Sequence, residues 1–115
     1  MTDCLFCKIV KNEIPAQKVM ENEHFLAFND INPQAPVHIL VIPKRHRDSL
    51  AGFDGHEDLK MIGELFQGIT RIAREKGLDT RGFRVVANTG NEGGQTVGHL
   101  HFHLLGGRYM NWPPG

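Results

Sequence analysis

The stretch His99-Leu100-His101-Phe102-His103-Leu104-Leu105 constrains this 115-residue chain more than any other. Side chains of a β-strand alternate between its two faces. Read as a strand, the segment puts three imidazoles in a row on one face. Leu100, Phe102 and Leu104 fall on the other, where they require an apolar cover. An ordinary half-exposed strand has Thr, Lys, Glu or Ser at its outward positions. Three histidines at i, i+2 and i+4 instead offer groups that bind metal, or act as nucleophile, acid or base near neutral pH.

The cover is supplied by one long helix. Asp54 is a candidate N-cap, with Glu57 three residues on as in a capping box. Ile62, Leu65, Phe66, Ile69, Ile72 and Ala73 then fall on one stripe at helical spacing, and Gly77 suits the position after the helix end. Residues 5–10 read as a short helix ending near Asn12. Residues 17–21 and 24–28 read as two strands around the turn Glu21-Asn22-Glu23. Residues 37–42, Val-His-Ile-Leu-Val-Ile, are apolar on both faces and suit a central, doubly covered strand. Two more strands are expected over residues 82–88 and 99–105. The expected class is α+β: a single domain over residues 1–115, with a five-stranded, mainly antiparallel sheet, one long helix and one short helix.

Charge narrows the partners. The 13 Lys and Arg balance the 13 Asp and Glu. Without a global field to gather nucleic acid or an anionic membrane, anion recognition must be local. No apolar run approaches the ~20 residues of a membrane span. The start, Met1-Thr2-Asp3-Cys4, has no basic n-region, so a cytoplasmic location is expected. In that compartment Cys4 and Cys7 are metal ligands or free thiols sooner than a disulfide. Their CxxC spacing is half of a zinc site. By itself the spacing leaves two free thiols or a redox pair open. The redox reading needs a helix start directly after a strand, which the sequence does not suggest.

Upstream of the histidines runs Asn88-Thr89-Gly90-Asn91-Glu92-Gly93-Gly94-Gln95-Thr96. Glycines let backbone N–H groups approach an anion, and the Asn88 amide and Thr96 hydroxyl add donors. No Lys follows, so this is not a P-loop. Beside a row of imidazoles, such a loop points to phosphorus chemistry with a histidine nucleophile.

With these residues in view, the chain resembles the histidine triad (HIT) superfamily through His99-Leu-His-Phe-His-Leu-Leu105. It resembles the Hint branch, the nucleoside phosphoramidate hydrolases, through four further segments. These are Ile14-Pro15, Phe28-Asn-Asp-Ile-Asn-Pro-Gln-Ala-Pro36, His38-Ile-Leu-Val-Ile-Pro43 and the tail Gly106-Gly-Arg-Tyr-Met-Asn-Trp-Pro-Pro-Gly115. The resemblance implies a homodimer whose two sheets join into one. It also implies cleavage of the P–N bond of purine nucleoside 5′-phosphoramidates, with aminoacyl-adenylates as a related class.

Carried over residue by residue, the resemblance makes His101 the nucleophile. It puts His103 on the phosphate and leaving group, and His38 beside the nucleophile. Asn88, Gly94, Gln95 and Thr96 would hold the phosphate, Thr96 standing where family members often have Ser. Asp30 would accept from the ribose hydroxyls. Phe6, Ile9, Ile14, Phe28, Ile31 and Leu40 would line the base pocket, and Trp112 would pack near the partner's site. Some bacterial members carry a Cys, Cys, His, His zinc tetrad, which implies Cys4, Cys7, His46 and His99 here, closed and therefore structural. His24 and His56 are expected at the surface.

Four other readings compete. The dinucleoside polyphosphate hydrolases of the Fhit branch share the nucleophile, but Trp112-Pro113-Pro114-Gly115 speaks against them. The uridylyltransferase branch replaces the third histidine, present here as His103. A zinc-stapled nucleotide-binding or protein-interaction module would make hydrolysis incidental. A purely structural zinc protein would leave His101, His103, Asn88 and Asp30 without a purpose.

Overall fold

A computed structural model describes residues 4–115; Met1, Thr2 and Asp3, read above for a leader, lie outside the described residues. The strands are β1 (Lys18–Glu21), β2 (Phe25–Asn29), β3 (Val37–Pro43), β4 (Phe83–Val86) and β5 (Phe102–Gly106). They form one sheet in the order β1-β2-β3-β5-β4, antiparallel throughout. The class is α+β with a five-stranded antiparallel sheet, as the pattern of short connections requires. Helices α1 (Leu5–Val10) and α2 (Gly55–Glu75) are the short and long helices of the sequence reading. A four-residue helix, α3 (Leu78–Arg81), and a 3-10 turn (Leu50–Gly52) were not legible in the sequence.

β3 is the spine of the sheet, and its alternation divides the interior in two. Ile39 and Val41 face α2 in a layer with Phe25, Leu65, Ile69, Ile72, Leu100, Phe102 and Leu104. Leu40 and Ile42 face the other way, in a layer with Cys4, Phe6 and Ile9 of the N-terminal segment. The doubly covered strand is therefore real. Truncating fully buried Leu65 or Ile72 to Ala would cost about 2–5 kcal/mol.

The stripe on α2 is shifted from the sequence reading. Leu65, Ile69, Ile72 and Ala73 are buried as expected, and Met61 and Gly68 join them. Gly68 is where helix and sheet come closest: a Cβ there would lie 2.3 Å from Cζ of the buried Phe25 ring. Phe66 sits at the stripe's border, 43% exposed, with one edge on Phe102. Gly77 ends the helix at φ 72°, a left-handed conformation that favours glycine.

The capping box expected at Asp54 and Glu57 is not formed. Asp54 is the N-cap residue, but its side chain makes no cap bond. Asp58, one position past Glu57, turns inward instead. Its Oδ2 accepts the Asp54 N–H at 2.9 Å, and its Oδ1 accepts from Arg47 Nε and Nη2 at 3.0 and 2.8 Å. Glu57 faces solvent, 3.9 Å from Arg45.

The histidine strand also starts later than expected, at Phe102 rather than at residue 99. Leu100 gives its N–H to Arg47 O at 2.7 Å, outside the ladder, so the chain is drawn to the residue 44–49 loop before β5 begins. Residues 82–88 likewise pair only over β4. Face alternation survives the irregular start: Leu100, Phe102 and Leu104 belong to the α2 layer, and Phe6 packs against His99 and His101 on the opposite side. Among the described residues, no helix is long and apolar enough to cross a membrane.

The Arg47 guanidinium, followed by the Asp54 N–H, holds the Asp58 carboxyl below its ordinary value of 3.8. Its contribution to stability is therefore present above that value and is lost as pH falls through the lowered folded value. Asp58→Asn should lower Tm by about 5 °C at pH 7. The gap to wild type should close as thermal melts are taken below pH 3.8.

Candidate active site and metal centre

Two histidine-rich clusters lie on the α1 side of the sheet, joined by the residues 99–103. In the first, Cys4 Sγ is 3.2 Å from His99 Nδ1, and Cys7 Sγ is 3.3 Å from His46 Nδ1 and 3.6 Å from His99 Nδ1. The two Nδ1 atoms are 3.1 Å apart. A tetrahedral zinc with bonds of about 2.0–2.1 Å to nitrogen and 2.3 Å to sulfur separates its ligands by about 3.3–3.8 Å, close to this spacing.

The protons point to the same conclusion. His99 Nε2 is 3.0 Å from Pro43 O, which can only accept, so the proton sits on Nε2. His46 Nε2 donates to Asp48 Oδ1 at 2.8 Å. Both rings therefore aim an unprotonated Nδ1 at the other, a repulsive arrangement unless a cation lies between. The donor set fits zinc and closes around it. Burial pushes the Cys7 thiol above its ordinary value, and the Cys4 thiol beside it acts in the same direction. A cation would reverse this by favouring the thiolates. Cys4 caps α1 through its Sγ, which accepts the Cys7 N–H at 3.3 Å.

The second cluster is a relay. His101 is 4% exposed and its Nδ1 lies 2.7 Å from His99 O. Because a carbonyl only accepts, His101 carries its proton on Nδ1, and Nε2 keeps a lone pair in the neutral ring. The Gln34 N–H donates to His38 Nδ1 at 3.0 Å, so His38 is protonated on Nε2. That N–H faces His103 Nδ1 at 2.9 Å and Asp30 Oδ2 at 3.3 Å. His103 Nδ1 then accepts, which leaves His103 Nε2–H as a donor. Burial, followed by the charges His101 and His38 can carry, lowers the His103 pKa to about 4. Burial also lowers that of His38, against the pull of Asp30.

His101 and His103 line a cleft of about 310 Å³. Phe6, Ile9, Ile14, Phe28, Asp30, Ile31, Leu40 and Thr96 line it too, so the expected base-pocket residues meet around one space. Ile31 stands fully exposed at its mouth. Leu5, Pro15, Ala16, Asn29 and Val97 also line it; their apolar or turn-forming character carried no signal. Asp30 combines two roles: Oδ1 accepts the Asn32 N–H at 2.8 Å in a turn, and Oδ2 faces His38. Asn88 lies half-buried two residues past β4, and Gly94 is exposed at φ 79° in the following loop. Neither reaches the apolar wall. The Gln95 side chain is turned away from the cleft and bonded within the protein. Asp48, which fixes the His46 tautomer, was not foreseen, though its place two residues after His46 was a usable signal. His56 is exposed as expected, while His24 is half-buried beside Glu23.

Residues 11–110 match the HIT domain family, and the chain belongs to it. It is 50% identical over 115 residues to the 14 kDa zinc-binding protein of Brassica juncea, covering 98% of this chain and 100% of the relative. It is 49% identical over 113 residues to the adenylylsulfatase HINT1 of Arabidopsis thaliana, covering 96% of this chain and 76% of the relative. Its fold superposes on a HIT family hydrolase from Legionella pneumophila Philadelphia 1 with a TM-score of 0.95. That pair is 46% identical, covering 98% of this chain and 100% of the other.

Elemental analysis of freshly purified protein should find about one zinc per chain. Cys4→Ser should lose it and lower Tm by about 10 °C or more. Metal-free wild type with an unchanged melting curve would contradict the assignment.

Proposed function

We propose that the chain is a nucleotidyl hydrolase that cleaves the P–N bond of purine nucleoside 5′-phosphoramidates through a covalent intermediate on His101. One observation carries the reading. The His101 Nδ1–H is engaged by the His99 carbonyl, so Nε2 is the nitrogen that keeps a lone pair in the neutral form of the ring, on a residue that lines an apolar cleft.

In this mechanism the base lies among Phe6, Ile9, Ile14, Phe28, Ile31 and Leu40, and Asp30 accepts from the ribose hydroxyls. Asn88, the Gly94–Gln95 main chain and the Thr96 hydroxyl hold the non-bridging oxygens. His101 Nε2 attacks phosphorus in line and forms a P–N bond, while the bond to the leaving nitrogen breaks. That nitrogen takes a proton from solvent and departs as an amine. Water then attacks phosphorus, surrenders the proton that balances the amine's, and releases the nucleoside monophosphate with His101 restored. His103, with a pKa of about 4, is neutral at physiological pH and donates its Nε2–H toward the phosphoryl group and leaving nitrogen without adding a charge.

Cys4, Cys7, His46 and His99 would hold a structural zinc in this scheme, the four side chains serving the ion and not the substrate, and would keep the His99 backbone in place. The name of the Brassica relative supports zinc, and that of the Arabidopsis relative supports an adenylyl substrate. The latter name also favours a second leaving group, sulfate, on the same nucleophile. The β4 edge, with Phe83 42% and nearby Trp112 82% exposed, supports a homodimer joined along the sheet. A reducing cytoplasm would keep Cys4 and Cys7 available to the metal.

His101→Ala should lower turnover of a fluorogenic adenosine 5′-phosphoramidate by about 10³-fold or more, with zinc content and melting temperature unchanged. Diadenosine polyphosphate, run in parallel, should be a poor substrate for the wild type. Retained turnover in the variant would place the nucleophile elsewhere.

A further inference from the structure

The side chain of Gln95 makes three hydrogen bonds, and none points into the cleft. Its Oε1 accepts the Gly90 N–H at 3.0 Å, and its Nε2 donates to Asp48 O at 2.6 Å and to Val97 O at 3.0 Å. Gly90 and Val97 bracket the loop whose main chain and Thr96 would hold the phosphate. Asp48 stands at the other end: its carboxylate accepts the Nε2–H of the metal ligand His46 at 2.8 Å. A continuous chain therefore runs from His46 through Asp48 and Gln95 to both sides of the loop.

The loop has little stiffness of its own. Gly90 and Gly94 sit at φ 71° and 79°, and its other internal hydrogen bonds among the described residues are local: Gly94 N–H to Asn91 O and Gln95 N–H to Gly90 O. A flexible anion-binding loop must lose conformational freedom when it closes on phosphate, and an anchor that orders it beforehand removes that cost. The amide suits the place because it accepts once and donates twice; a carboxylate of the same length would have no proton for the two carbonyls.

We propose that Gln95 is a positioning residue that seats the phosphate-holding loop on the outer shell of the zinc site, through Asp48. The inference rests on the nucleotide reading above. It assigns Gln95 a role through its side chain that is distinct from direct contact with the nucleotide. The zinc site thus orients two parts of the reaction centre: His101 through the His99 carbonyl, and the loop through Gln95.

The test is calorimetric binding of AMP and of adenosine to zinc-loaded, full-length wild type, Gln95→Met, Asp48→Ala and the double variant, with zinc content measured for each. Methionine keeps the length and removes all three bonds; alanine at 48 keeps the backbone carbonyl and removes the hold on His46. Gln95→Met should weaken AMP about tenfold and leave adenosine and zinc content unchanged. Asp48→Ala should weaken AMP in the same direction, and the double variant should bind AMP no more weakly than Gln95→Met. Three results would overturn the proposal: wild-type AMP affinity in Gln95→Met, equal losses for AMP and adenosine, or additive losses in the double variant. A wild type that binds neither ligand would overturn the nucleotide reading itself, and this proposal with it.

Discussion

His99 is bonded on three sides at once. Its Nδ1 faces Cys4, Cys7 and His46, its Nε2–H is given to Pro43 O, and its carbonyl takes the Nδ1–H of His101. The first two fix the ring, and the ring fixes the backbone that orients the neighbouring imidazole. A histidine that cannot rotate therefore sets the tautomer of the one proposed to attack phosphorus. Much of the N-terminal segment serves this point: Cys4 caps α1, α1 delivers Phe6, and Phe6 packs on both His99 and His101.

The two clusters also show how five histidines can crowd one side of a small sheet, with only the facing Nδ1 lone pairs of His46 and His99 needing a cation between them. Burial holds His99 and His103 at pKa values of about 4, so both rings are neutral at physiological pH. Each proton has one acceptor: Pro43 O for His99, Asp48 for His46, His99 O for His101, and His103, with Asp30 alongside, for His38. The chain starts from a backbone N–H, that of Gln34, and ends on a donor that His103 can present to a ligand. In a protein of zero net charge, this directed set of dipoles gives one side of the sheet a local polarity that a global field does not.

Much of this was legible because the informative residues repeat at structural periods. The alternation of residues 99–105 places imidazoles and apolar side chains on opposite faces even though β5 begins only at Phe102. The two-sided apolar run of residues 37–42 marks the spine of the sheet, and the stripe from Leu65 to Ala73 marks the buried face of α2. What escaped depends on tertiary partners. Asp58 displaces Glu57 at the helix start because Arg47, eleven residues earlier, reaches it. Leu100 leaves the ladder because Arg47 O captures its N–H. The resemblance puts Gln95 on the phosphate, and only the fold shows its side chain bridging to Asp48. The Gln34 N–H, which sets the tautomer of His38, belongs to the backbone and leaves no trace in residue identity.

In the proposed reaction the free Nε2 of His101 becomes covalently bound to the nucleotide during turnover. This step is tested most directly by mixing enzyme with excess adenosine 5′-phosphoramidate, quenching within one turnover in alkaline denaturant, and mapping the protein by peptide mass spectrometry. An adenylyl group is expected on His101, in the peptide that spans residues 99–105, appearing before steady-state release of AMP and absent from His101→Ala. AMP formed at the wild-type rate with no adduct, or with the adduct on His38 or His103, would contradict that step.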